Sequence, residues 1–268
     1  MSTYERPPVD APVFRGADGR IIDYGRRWGG PPPEDTYSVE THPERFAPLH
    51  DVADALIAHL RRAYEVEVDE GDEAVRDLQR PPFAGAVRAV RIRPNDPACA
   101  SLTFVFTAYP GIHVHAGLLH DFHYPVCGCD ACDSTWDAEA DDLEKQVQAV
   151  VSGNYREHIE RGLSPWVEHR FTYADGEWRG GRSRARDMPA DQVRAAKPIL
   201  RTSPTAGRPG LTPPRARARA RTRTRTRTDR SRPTVSDQNG GGSPSGRGGC
   251  QVAGSVGTNL TCAAGRSR

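Results

Sequence analysis

Between His113 and Cys132 the chain carries four histidines and three cysteines, the latter as Cys127-Gly-Cys129-Asp-Ala-Cys132. No other stretch constrains the fold as much, because three thiols this close must be arranged around one another. Thiolates hold zinc at about 2.3 Å in a tetrahedral array. The Cys129–Cys132 step is the spacing by which a tight turn aims two sulfurs at one ion, and Gly128 lets the backbone bring Cys127 to the same centre. Pro125 fixes the entry to the loop. Three sulfurs leave one position to fill in a closed structural site. His120 and His123 are the near candidates, and Cys99 can reach over from a turn between strands. His120 is favoured, since it stands where the third predicted strand ends and the loop can fold back over it. His113 and His115 alternate along one strand face and form a separate polar surface. A redox role needs a depressed thiol pKa, and the carboxylates that follow Cys132 oppose a thiolate.

No run of about 18 apolar residues is present, so no membrane span is expected. The start, Met1-Ser-Thr-Tyr-Glu-Arg-Pro-Pro, lacks the apolar centre of a secretion signal, which points to the cytoplasm. In that reducing compartment clustered cysteines are metal ligands or redox groups rather than disulfides.

The formal net charge of +2 conceals two regions. From Arg201 onward there are 14 Lys+Arg against 2 Asp+Glu, which leaves 23 basic and 33 acidic residues before it. An acidic part large enough for a real core therefore carries a basic tail. The tail alternates Arg with Ala and Thr from Arg215 to Arg227, then turns Gly/Ser-rich, and its composition predicts disorder over 201–268. Read one base earlier, the codons of Ser203 to Gly210 can spell an amphipathic, Trp-containing finish, so a frameshift product is a second reading of the tail. Nucleic acid is not expected as a partner except through this Arg-rich tail.

Residues 1–43 are Pro- and Gly-rich and read as an extended segment anchored by Trp28 and Tyr37. The domain proper is expected over 44–200. From Pro48 to Tyr64, apolar residues recur at three- and four-residue steps and predict a helix. The acidic run Glu65 to Glu73 reads as a solvated connection. Ala86–Arg93, Ser101–Thr107 and Gly111–Ala116 alternate as strands of an antiparallel meander. A second long helix is predicted from Ser134 to about Glu160, capped by Ser134 or Asp133, with its acidic first turns favoured by the helix dipole. A hairpin follows over Trp166–Tyr173 and Glu177–Arg182, then a last helix from Pro189 that ends at Pro198. The fold class that results is α+β: an antiparallel sheet packed against two long helices, with a Cys-rich metal loop between strand and helix.

Neither a phosphate-binding Gly-rich loop, nor a Gly-X-Ser-X-Gly elbow, nor a His-Glu-X-X-His helix is present. Four blocks, Tyr24-Gly-Arg-Arg-Trp-Gly-Gly, Thr41-His-Pro-Glu-Arg-Phe-Ala-Pro-Leu-His, Phe104-Val-Phe-Thr-Ala-Tyr-Pro-Gly and Pro125-Val-Cys-Gly-Cys-Asp-Ala-Cys-Asp, resemble a family of uncharacterised actinobacterial proteins, a domain of unknown function. The resemblance spans about residues 4 to 200. It implies a bacterial cytoplasmic protein without an assigned activity, and relatives that finish in a Trp-containing stretch after the last helix. The expectation is a zinc-stabilised binding or interaction domain, its metal held by Cys127, Cys129, Cys132 and His120, with a protein or small-molecule partner. Its rival is a zinc hydrolase with an open metal position and His113 or His115 as base.

Overall fold

The computed structural model describes residues 3–10, 12–82, 84–202 and 209–213. Its main sheet is a five-stranded antiparallel meander in the order β1 (Val66–Glu70), β2 (Ala86–Pro94), β3 (Leu102–Thr107), β4 (Gly111–Ala116), β5 (His120–Tyr124). Each strand pairs with its chain neighbour, as short turns dictate for antiparallel strands. Leu102, Phe104 and Phe106 of β3 stand beside Val90, Ile92, Ile112 and Val114 on one face. Against that face lies helix α1 (Pro48–Ala63), whose stripe Leu49, Val52, Ala53, Leu56 and Leu60 is buried. Helix α2 (Trp136–Val151) completes this layer through Ala140, Leu143, Val147 and Val150.

The opposite face of the sheet is covered by a short helical turn, Asp72–Asp77, with Ala74 and Leu78 packed on Ala89 and Val105. A polar row crosses it: Arg91, Thr103, His115 and Asp121 are direct register partners across β2 to β5. Asp77 accepts from Arg91 Nε at 2.6 Å and from Thr103 Oγ1 at 2.6 Å. Asp121 meets His115 Nδ1 at 2.6 Å and accepts the Gln79 backbone N–H at 2.7 Å. Buried polar groups are stable only when paired in this way.

A second antiparallel sheet, β6 (Tyr155–Ile159), β7 (Trp166–Thr172) and β8 (Trp178–Arg184), follows α2, and helix α3 (Ala190–Thr202) packs beside it. The tip of the β4–β5 hairpin plugs into this sheet. Leu119 joins Ile159, Val167, Met188, Ala196 and Leu200 in a second core. The buried Glu157 carboxylate accepts the backbone N–H groups of Leu118 at 2.9 Å and Leu119 at 2.7 Å.

Several elements differ from their sequence patterns. There are two sheets rather than one, and the described helices have 16, 16 and 13 residues rather than being two long rods. The acidic run after α1 holds strand β1, because its carboxylates meet β2 arginines: Asp69 lies 2.5 Å from Arg93. Helix α2 stops at Val151, well short of Glu160, because Gly153 at φ +76° turns the chain back and the following residues pair as β6. Its cap is Thr135, whose side chain accepts from Ala138 N, and not Ser134 or Asp133. Helix α3 runs through Pro198.

Beyond Leu200, the point where composition changes, the chain still contributes to the core. Leu211 is buried, its N–H bonds Val151 O at 2.8 Å, and Thr212 O accepts from Glu65 N at 2.9 Å. The backbones of Gly153 and Gly210 cross so closely that a Cβ on Gly153 would stand 2.4 Å from Gly210 N. Residues 203–208 and 214–268, with most of the segment read as disordered or frameshifted, lie outside the described residues.

Candidate metal centre

The cysteine loop leaves β5 after Tyr124 and enters α2 through Thr135. Within it the Cys129 sulfur lies 3.3 Å from Cys127 Sγ and 3.3 Å from Cys132 Sγ. All three sulfurs fall within 4.8 Å of one another. These are free thiols, with Cys129 buried, Cys127 half-buried and Cys132 exposed. A tetrahedron with zinc–sulfur bonds of about 2.3 Å has sulfur–sulfur edges of about 3.8 Å, so the set needs to open by only about half an ångström.

The loop is held from the N-terminal segment, which grips it like a clamp. Asp130 N donates to Val39 O at 2.7 Å and Ala131 N to Thr36 O at 3.1 Å. Arg27 pairs with Asp133 through Nε and its own backbone N–H, and reaches Asp130 O at 2.5 Å; Trp28 Nε1 meets the same carbonyl at 3.2 Å. Arg45, 3% exposed, donates to Gly128 O at 2.7 Å. The Arg27 and Arg45 guanidiniums both lie over the Tyr24 ring, at 4.3 and 4.4 Å. Trp28 thus anchors as expected, whereas Tyr37 is 45% exposed and anchors nothing by burial.

Electrostatics make the middle sulfur the most easily ionised of the three. Burial opposes charge on Cys129, but hydrogen bonds from Cys127 and from the backbone of Cys132 and Ser38 prevail and lower its pKa. Ser38 adopts φ +57°, unusual for a residue with a side chain, and this turn places its backbone against the sulfur. Burial raises the other two thiols, and for Cys132 the neighbouring sulfurs raise it further. A cation at this point would let all three thiols ionise together, which mutual repulsion otherwise prevents.

Tyr109 Oη, buried beside the loop, has no hydrogen-bond partner among the described residues. A Cβ on Gly128 would lie 1.9 Å from that oxygen and 3.6 Å from Glu40 Oε1. Gly128 is therefore required by space. Gly128→Ala is expected to displace the loop and weaken metal binding about tenfold or more, measured by competition with a colorimetric chelator; unchanged affinity would count against the close contact.

The other predicted ligands lie elsewhere. Among the described residues the metal-competent group contains the three cysteines and no histidine. His120 faces the second sheet, its ring stacked on His169 at 3.5 Å between centroids. His120 opens β5, and the strand runs on to Tyr124 before the cysteine loop begins. His123 is paired in register with His113 and stacked on it at 5.3 Å on the far face of the sheet. Cys99 Sγ donates to Gly210 O at 3.2 Å. His115 is tied to Asp121.

The buried imidazoles give a pH prediction. Desolvation lowers His169 and His113 to about 4, and pushes His120 well down. In the unfolded chain histidine titrates near 6.5. Between about pH 6.5 and 4 the unfolded state therefore binds more protons, and each such histidine removes up to about 1.4 kcal/mol per pH unit as pH falls. Denaturant midpoints from pH 7.5 to 4.5 should decline, and His169→Phe should shallow the decline. Equal slopes for the two proteins would refute the assignment.

Two of the clamp's contributors, Arg27 and Arg45, were not singled out from sequence; their signal was the four blocks that carry the resemblance, which meet at this loop. A family model described as "Family of unknown function (DUF6226)" matches residues 10–214. No curated protein and no solved structure matches the chain.

Proposed function

The chain belongs to that DUF6226 family of unknown function, and from this premise we propose that it is a metal-stabilised binding domain whose three-cysteine centre holds zinc. The observation that carries the reading is the convergence of Cys127, Cys129 and Cys132, whose ligand atoms lie within 4.8 Å of one another. The ion's work is structural. It ties the end of β5 to the start of α2 and gives the N-terminal clamp a rigid object to grip. Free thiols 3.3 Å apart fit a reducing compartment such as the cytoplasm.

The fourth position falls to a group outside the three sulfurs. Glu40 is one candidate, since its Oε1 approaches the same point of Gly128 as the unpartnered Tyr109 hydroxyl. The hydrolase alternative requires a base beside an open metal position; among the described residues the group formed by the three sulfurs includes neither His113 nor His115, which favours the structural role.

The test is elemental analysis of the purified full chain with thermal melts before and after chelation. One zinc per chain and a lowered Tm on chelation are expected. Absence of stoichiometric metal, with no effect of a chelator, would end the proposal.

A further inference from the structure

We propose that the outer face of the second sheet binds single-stranded nucleic acid. Along β7 and β8 the inward positions Val167, His169 and Phe171 pack on the domain, so the intervening residues point away from it. Those residues are chemically uniform. Arg184 and Arg182 lie over the Trp166 ring at 3.9 and 4.6 Å, and Arg170 lies over the Trp178 ring at 4.4 Å. Trp178 is 52% exposed. Between the two stacks stands Gly180, where a side chain would come within 2.5 Å of His169 O. Close packing of the two strands keeps that position free of a side chain.

Charge selects the partner. The 200 residues before the tail carry 23 basic and 33 acidic residues, yet the strand positions of this face on β7 and β8 hold three arginines against one carboxylate, Glu168. Such segregation on an acidic body marks a polyanion site. Shape narrows it further. Trp178 pairs with Thr172, six residues along β7 from Trp166, so the two indoles stand roughly 20 Å apart at the rise of an antiparallel strand. A ligand spanning that distance must repeat both its planar groups and its negative charges, as a single strand does. Bases stack on aromatic faces regardless of sequence, and guanidiniums take the phosphates. A lipid surface fits less well, because these outward positions include no Leu, Ile, Val or Met to insert.

The proposal is independent of the metal centre. It is tested on the full chain, whose Arg-rich tail gives a background common to all variants. Intrinsic Trp fluorescence is titrated with oligothymidylate at several salt concentrations. Quenching with a salt-dependent Kd is expected. Trp178→Ala should weaken binding about tenfold, and Arg170→Ala with Arg182→Ala should lower the salt slope by about 1 to 2. Because the altered side chains are exposed, circular dichroism and metal content should be unchanged; Arg182→Glu serves as a second variant if the double variant folds poorly. The idea is overturned if the oligonucleotide leaves Trp fluorescence unmoved, if affinity is the same in every variant, which assigns binding to the tail, or if anionic vesicles alone are bound through these residues.

Discussion

Cys129→Ser is expected to abolish stoichiometric metal and to destabilise the domain by about 3 kcal/mol or more, the scale on which loss of a structural metal counts among large single-site effects. Cys129 is the sulfur within 3.3 Å of both others and the one whose pKa its hydrogen bonds lower, so no remaining pair of thiols reproduces the site. Global unfolding is not expected. The core built on Phe104, Ile112, Leu56 and Leu143 is continuous without the loop, unlike a small zinc finger that has little else to fold around. The loss should instead concentrate where the clamp meets the loop, at Val39–Asp130 and Arg27–Asp133. Hydrogen exchange and limited proteolysis should show residues 24–41 opening first. Two controls separate the ligands from their neighbours. Cys99→Ala, which removes the donor to Gly210 O, and His120→Ala, which unstacks His169, should retain the metal while altering stability. Full metal content in Cys129→Ser would sink the assignment.

Glu157→Ala should cost about 2–4 kcal/mol by chemical denaturation, with the metal retained. The carboxylate accepts from two backbone N–H groups, half-buried Leu118 and buried Leu119, at the tip of the β4–β5 hairpin. Leaving a buried donor unpaired costs about 1–3 kcal/mol each. Burial itself raises the pKa of this carboxyl, and the two N–H donors oppose that rise, so removing the charge returns part of the loss. Gly117 at φ +69° brings the turn so near that a Cβ would stand 2.3 Å from the Glu157 oxygen. Leu119 would lose its docking against Ile159 and Val167 with the turn. A change below about 0.5 kcal/mol would show that water or another group satisfies the turn.

Among the described residues no helix is long and apolar enough to cross a membrane. That agrees with the absence of a long apolar run in the sequence. The partners of the domain rest on the two proposed sites, the metal loop and the basic sheet face.

What the sequence alone determined were features whose causes lie within a few residues of one another. The α1 stripe follows from a 3.6-residue period, and the β3 and β4 strands from alternation. The three thiols meet because Cys-X-Cys-X-X-Cys spans less than two turns of chain. What only the tertiary structure decided depends on partners far away in the chain. Strand β1 exists because arginines of β2 neutralise its acids, and α2 ends where β6 finds β7. His120 met an imidazole from residue 169 rather than the sulfurs beside it in sequence. Arg27 and Arg45 became the clamp across more than eighty residues. Local periodicity carries no information about such pairings, since their free energy is realised only when the sheet and helices have already brought the groups together.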